Sequence, residues 1–417
     1  MPSDPHSPLS LNRRQFLQQT TWLGVGALLS GPLVSRAFAA GNTDTVTLPF
    51  ANGTRPLVTY PQKRPLIRVT ARPPQLETPF AVFNEGVITP NDAFFVRYHL
   101  ANIPTAIDGA TFELALGGNV RTPARFSVAD LKSQFEPFEV VAVNQCSGNS
   151  RGFFNPRVSG GQLGNGAMGN ARWKGVRLRD VLDRVGVGEG ARQVTFDGAD
   201  QSVIPATPDF VKALDIDHAR DGEVMIAYEM NGSELPLLNG YPLRLVVPGY
   251  YGTYWIKHLN VVTVVNEPFS GFWMAKAYRI PDTPGASVTP GTAPKTTVPI
   301  GRFNVRSFIT SHTEGAAIQT GRETRLRGIA FDGGRGVREI SFSADGGRTW
   351  REAKLGRDQG RYSFREWTAT FLPAHAGPYE LKCRATSGSG ETQPLSPNWN
   401  PAGYMRNVVE TVNVVAS

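Results

Sequence analysis

Leu178, Val181, Leu182 and Val185 recur at three- and four-residue intervals over 176–185 and stop at Gly186, a spacing that predicts one short amphipathic helix. A second helix is predicted to begin at Ser127-Val128-Ala129-Asp130-Leu131, where a serine stands three positions ahead of an acid. Elsewhere between about 93 and 265 the apolar residues alternate or run in short blocks. They predict strands at 110–117, 138–144, 193–197, 224–228, 242–248 and 257–265. No strand–helix–strand unit repeats and no glycine-rich nucleotide loop occurs, so the class is α+β. Residues 41 to about 92 are proline-rich and predicted to be irregular.

Five prolines between Pro281 and Pro299 predict a connection between two domains. Beyond it, 300–417 is a series of short alternating strands. Turn signals such as Phe331-Asp332-Gly333-Gly334 and His375-Ala376-Gly377-Pro378 separate them, and an all-β immunoglobulin-like sandwich is expected. The resulting division is a leader (1–40), a first domain (41–285), a linker (286–300) and the sandwich (301–417). One turn, Ser343-Ala344-Asp345-Gly346-Gly347-Arg348-Thr349-Trp350, matches the Asp-box of sialidases. It occurs once, and is read as a structural hairpin turn.

The leader changes the picture. Asn12-Arg13-Arg14-Gln15-Phe16-Leu17 precedes a weakly apolar core (22–34) and a small-residue site, Arg36-Ala37-Phe38-Ala39-Ala40. This is the pattern of a Tat export signal, and the core is too short and glycine-rich for a membrane anchor. The expected location is the periplasm. Formal charge falls from +8 to +6 without the leader, from 40 Lys+Arg against 34 Asp+Glu. With no basic stripe interleaved with aromatics, nucleic acid is not an expected partner. An anionic small substrate or an acidic protein is.

Cys146 and Cys383 are the only cysteines. Cys383 shares an alternating strand face with Tyr379 and Leu381 and is read as a core residue, so no disulfide is expected. Cys146 differs. It follows the apolar run Val140, Val141, Val143 and opens the polar loop Cys146-Ser147-Gly148-Asn149-Ser150-Arg151, a thiol at a strand end. A thiolate is a soft ligand for a transition metal, and an arginine five residues on can hold an anion beside it. There is no H-E-x-x-H or C-x-x-C-H motif, so neither a metalloprotease of that kind nor a haem on this chain is expected.

Five stretches carry a family resemblance: Phe94-Phe95-Val96-Arg97-Tyr98-His99, Cys146 to Arg151, Ala171-Arg172-Trp173-Lys174-Gly175-Val176, Ala227-Tyr228-Glu229-Met230-Asn231-Gly232, and Pro242-Leu243-Arg244-Leu245-Val246-Val247-Pro248-Gly249. In this order they resemble the molybdenum domain of the sulfite oxidase family, and the sandwich resembles that family's dimerisation domain. Within that family the chain resembles the bacterial periplasmic sulfite dehydrogenases, which pass electrons to cytochrome c, since the leader is Tat-type and no haem domain is expected on this chain.

The resemblance implies a molybdenum–pyranopterin cofactor with Cys146 as the protein's metal ligand, and sulfite as substrate. Arg97 and Arg151 would line the anion pocket, with Arg406 as the arginine contributed by the sandwich and Tyr278 as the active-site tyrosine. Phe95, Val96, Arg97, His99, Arg244, Trp255, Ile256 and Lys257 would hold the pterin, with Asp200, or Asp197 in its stead, bonded to the ring. The implied acceptor is a c-type cytochrome, and the implied assembly a homodimer or a cytochrome heterodimer. Three positions depart from the family: Tyr98 stands for the frequent Asn, Asn239 for a pterin-contacting His, and Gln162-Leu163 for the pocket tryptophan of animal enzymes. The alternatives are a methionine sulfoxide reductase of the same superfamily, which resembles the first domain alone, and a binding module using the sandwich.

Overall fold

The structure, a computed structural model, describes residues 45–47 and 52–417. The leader expected at 1–40 lies outside the described residues. Residues Thr43–Ser417 form one compact unit. The fold is mostly β, with less helix than an α+β reading implies. Val128–Gln134 and Leu178–Val185 are the longest α-helices among the described residues.

Both helices have the local causes read from the pattern. Ser127 Oγ accepts the Asp130 N–H at 3.0 Å while Asp130 Oδ2 accepts the Ser127 N–H at 2.9 Å, a reciprocal cap on the first turn. Leu178, Val181, Leu182 and Val185 are all buried, and Gly186 ends their helix at φ 70°, where its N–H reaches back to Leu182 and Asp183.

Two five-strand systems carry the first domain. One runs Lys212–Asp215, Gln193–Gly198, Leu259–Val265, Glu113–Gly118, Ala124–Ser127, with a parallel pairing between Leu259–Val265 and Glu113–Gly118. The other runs Ser233–Glu234, Met225–Met230, Met168–Arg177, Pro137–Gln145, and Arg244–Val246 also pairs with Met225–Met230. Met168–Arg177 lies between two strands and is buried on both faces for most of its length, so it shows no alternation and the sequence pattern misses it. Within the stretch 41–92, expected to be irregular, the described residues include another sheet: Thr45–Thr47, Thr54–Val58, Leu66–Thr70 and Gln75–Glu77, closed by Val96–Arg97. Pro61, Pro73 and Pro74 sit at turns and Pro56 lies within Thr54–Val58 itself, which disguised the short strands. The proline-rich connection also contains structure, since Arg279–Pro281 pairs with Thr297–Pro299.

Residues beyond 303 form two sheets. Arg306–Ile309, Thr324–Phe331, Arg365–Phe371 and Lys354–Leu355 make one. Ala316–Ile318, Thr411–Ala416, Gly377–Ser387, Val337–Ser343 and Arg351–Glu352 make the other. Leu326, Trp367, Ile340, Phe342, Leu381 and Cys383 fill the space between them. Cys383 is buried and unpaired, as is Cys146, which belongs to a different core cluster. Burial pushes the Cys383 thiol up to about 12, so it stays protonated and inert. Cys383→Ser should cost about 1–3 kcal/mol of stability, from a hydroxyl desolvated in an apolar core. Catalytic rate should be unaffected, and chemical denaturation beside a steady-state assay separates the two effects.

The Asp-box-like turn closes on itself. Asp345 Oδ1 accepts the Arg348 and Thr349 N–H groups, each at 3.0 Å, Oδ2 accepts the Thr349 hydroxyl at 2.6 Å, and Trp350 Nε1 donates to Gly347 O at 2.9 Å. The sandwich is not an appendage: Phe303, Phe308, Phe331 and Phe364 belong to the same core cluster as the first domain's sheets.

Candidate active site

Cys146 is positioned by the longest pairing in the first domain. Pro137–Gln145 runs antiparallel to Met168–Arg177, and Gln145 opposes Met168 in the last register pair. The next residue leaves the strand, its N–H donating to Ala167 O at 2.9 Å. A turn follows, with Asn149 N–H on Cys146 O and Arg151 N–H on Gly148 O, both at 3.0 Å. The thiol is 8% exposed and opens into a cavity.

Seven of the residues expected at the site line that cavity with it or close it: Phe95, Arg97, His99, Arg244, Lys257, Tyr278 and Cys146 itself. Arg97 ends the two-residue strand Val96–Arg97, and its carbonyl accepts Lys257 Nζ at 2.6 Å while Nη1 is buried with no protein partner. Arg244 lies 5.2 Å from the Trp173 ring and 5.6 Å from the Trp255 ring. Its Nη1 donates to Asn239 O at 2.9 Å, and its Nε is unpartnered. Tyr278 touches His99 Nε2 through its hydroxyl, and His99 stacks on Phe210 with ring centroids 3.6 Å apart. On its other side Tyr278 stacks on Tyr404 at 5.4 Å, and Arg151 lies over Tyr404 at 5.1 Å.

The other expected residues stand elsewhere. Arg151 does not line the cavity but reaches it through Tyr404, with its Nε held by Ala402 O at 3.1 Å. Asp200 is buried beside Lys257, whose charge opposes the upward pull of burial on its carboxyl, whereas Asp197 bonds the next N–H along the chain, at Gly198. Val96, Trp255 and Ile256 are core residues that do not line the cavity; Trp255 serves as a face for Arg244. Arg406 also stands outside the cavity lining. Its guanidinium is taken by Glu410 and lies over Phe153 at 5.2 Å, so it does not line the cavity.

The sequence pattern missed Asn144, Ser147, Thr253, Tyr404 and two buried lysines. Lys63 Nζ donates to Asn91 O, Phe94 O and Asn239 Oδ1 at 2.5, 3.1 and 2.5 Å, which explains why an asparagine stands at 239. Lys212 Nζ donates to Trp273 O at 2.6 Å beneath the rings of Tyr254 (4.6 Å) and Tyr278 (5.3 Å). Burial beneath these rings lowers its ammonium to about 7. In the folded state it therefore resists protonation that the unfolded chain accepts up to about 10.5. The stability cost is full below about pH 7 and fades as pH rises toward 10. The stability of wild type minus that of Lys212→Met should thus grow between pH 7 and pH 10. A difference constant across that range would contradict the burial argument.

Lys63 and Arg244 are buried and Lys257 is half-buried beside them, with Asp92 as the acid facing Lys63 and Asp200 the one facing Lys257, and desolvation lowers the three to about 7, 9 and 7. Cations are buried in this way where an anion is to be held. Around them Arg97 Nη1, Arg244 Nε, Asn144, Ser147 Oγ and Thr253 Oγ1 have no protein partners, and a Cβ on Gly252 would lie 2.4 Å from Asn144 Oδ1. Orphaned buried polar atoms of this number call for a bound polar group. Among the described residues no three His, Cys, Asp or Glu converge as a metal cage, so the protein side offers one thiol. This donor set fits an anionic cofactor that brings its own sulfur ligands to the metal.

The family description "Oxidoreductase molybdopterin binding domain" matches residues 100–273, and "Mo-co oxidoreductase dimerisation domain" matches residues 297–416. Over 367 residues the chain is 34% identical to the sulfite oxidase of Gallus gallus, covering 84% of this chain and 78% of that protein. The chain belongs to the sulfite oxidase family. It is also 34% identical over 372 residues to the mitochondrial sulfite oxidase of Rattus norvegicus, covering 85% of this chain and 66% of the rat protein. The crystal structure of the sulfane dehydrogenase SoxCD from Paracoccus pantotrophus has the same fold, with a TM-score of 0.69 at 20% identity over 96% of each chain. No helix among the described residues is long and apolar enough to cross a membrane.

Proposed function

We propose that this protein is a periplasmic molybdoenzyme that oxidises sulfite to sulfate and passes the electrons singly to a c-type cytochrome. The observation that carries the reading is the cavity in which the Cys146 thiol adjoins Arg97, Arg244 and Lys257, in a chain of the sulfite oxidase family. A second match supports sulfite over the reverse reduction of methionine sulfoxide, since the dimerisation-domain description covers 297–416.

In this reading Cys146 would ligate the metal, while Arg244 and Lys257 hold the pterin and its phosphate. The bound cofactor supplies oxygen-atom transfer and takes up two electrons. The chain's own residues orient the substrate. The Arg97 guanidinium, rigid and always charged, holds the sulfite oxygens, and Arg151 adds charge from behind Tyr404. Burial keeps the Tyr278 phenol protonated, so it is a hydrogen-bond group and not an anion in the pocket. Its contact with His99 and its stacking on Tyr404 fix its direction. The dimerisation domain would assemble the protein as a homodimer or with a cytochrome subunit.

Metal analysis of protein purified from a host that makes the cofactor should find about one molybdenum per chain, with methionine sulfoxide a poor substrate. Folded protein without molybdenum from such a host, or preferential reduction of methionine sulfoxide, would overturn the reading.

A further inference from the structure

The thiol loop is gripped from outside its own domain by a cation to which the catalytic reading gives no part. Arg306 opens the sandwich strand Arg306–Ile309 and is 1% exposed. Its Nη2 donates to Ser150 Oγ at 2.7 Å and to Glu410 Oε1 at 3.0 Å, and its guanidinium lies over the Phe308 ring at 4.5 Å. Its Nε and Nη1 have no protein partner. A guanidinium buried with two nitrogens unmatched is a poor source of stability, because desolvation offsets the attraction to its partner. Burial lowers it to about 10, against the pull of Glu410. Such an arrangement makes more sense as a device that fixes geometry than as packing.

What it fixes is the joint of the loop. Ser150 stands four residues past Cys146 and next to Arg151, at φ 69°, a left-handed conformation unusual for serine. Strain at such a position persists when its surroundings over-determine it. The Ser150 N–H donates to Gly164 O at 2.6 Å, its hydroxyl donates to Asn165 Oδ1 at 2.5 Å, and its oxygen also accepts Arg306. Other contacts from the far end of the chain converge on the same loop: Arg151 Nε on Ala402 O at 3.1 Å, and Trp399 Nε1 on Pro156 O at 2.8 Å.

We propose that Arg306, carried by the sandwich and anchored by Glu410, is a positioning residue that acts through Ser150 to set Arg151 and the Cys146 thiol relative to each other. The sandwich thereby contributes to the site by clamping its loop, where an arginine in the pocket had been expected. The consequence for turnover rests on the sulfite-oxidising reading; the consequence for loop order does not.

Arg306→Met tests both. Glu410 keeps Arg406 as its partner in this variant, so no buried carboxylate is orphaned and thermal unfolding should stay near wild type. On the purified holoenzyme, hydrogen exchange of peptides covering 146–153 should accelerate roughly tenfold, the value of one lost hydrogen bond. Peptides from Gly377–Ser387 should not change. The kcat/KM for sulfite should fall roughly tenfold, as for residues that support a metal site's ligands. Arg306→Lys, which retains the charge on a single point, should recover part of the loss. Ser150→Ala combined with Arg306→Met should cost less than the sum of the two single changes, because both remove the Arg306–Ser150 bond and only the hydroxyl's bond to Asn165 is lost in addition. Should Arg306→Met fail to fold, Ser150→Ala, which changes no charge, carries the same exchange and kinetic readouts. Unchanged exchange across 146–153, or full additivity of the two substitutions, would overturn the proposal. A wild type inactive toward sulfite would overturn the functional reading instead, and leave the exchange result to decide the positioning role.

Discussion

Cys146→Ser is expected to leave a folded protein in which sulfite oxidation has fallen by more than roughly a hundredfold. Loss of partners that merely orient a metal's ligands already costs about 10–100-fold, and this change replaces the ligand itself. A serine hydroxyl is harder and far less acidic than a thiol, so it is a poor substitute on a soft metal. The fold should survive because the change is nearly isosteric, and because the loop's backbone bonds, Cys146 N–H to Ala167 O and Asn149 N–H to Cys146 O, do not involve the side chain. Circular dichroism and thermal unfolding near wild type, beside a turnover measurement at background, is the expected pair of results. Wild-type turnover would remove Cys146 from the metal.

Arg97→Met should raise KM for sulfite roughly ten- to a hundredfold, the equivalent of about 1.5–3 kcal/mol for a charge-assisted hydrogen bond in a desolvated pocket. The substitution is clean. The Arg97 contact with Lys257 is made by the main-chain carbonyl, and Nη1 has no protein partner to orphan. The structure thus shows a guanidinium facing a cavity with bonding capacity to spare. Steady-state kinetics over a wide sulfite range checks this. An unchanged KM would move the anion site toward Arg151, which stands behind Tyr404.

The parts of this molecule legible in the sequence are those whose cause is local. The helix over Leu178–Val185 announces itself by spacing and by its terminal glycine, and Cys146 by the change from an apolar run to a polar loop. Met168–Arg177 gives no such signal, because a strand buried on both faces has no alternation. The cationic surroundings of the site were only partly legible. Arg97 and Arg244 lie in the stretches that carry the resemblance and Lys257 is implied by it, but nothing in the sequence marks Lys63 or Lys212. Only tertiary structure shows that carbonyls and aromatic faces receive them. Arg406 and Arg306 make the same point in opposite directions. The residue near a recognisable tryptophan segment is paired with Glu410, while one in an unremarkable strand reaches the thiol loop.

The most direct test of the central claim is an electron count on purified, molybdenum-containing protein given sulfite, with ferricyanide and cytochrome c as parallel acceptors. Sulfate formation and acceptor reduction are followed together. Sulfite to sulfate releases two electrons, so two equivalents of either one-electron acceptor should be reduced per sulfate formed, in proportion to molybdenum content. Molybdenum-replete protein that forms no sulfate, even with ferricyanide, would contradict the account.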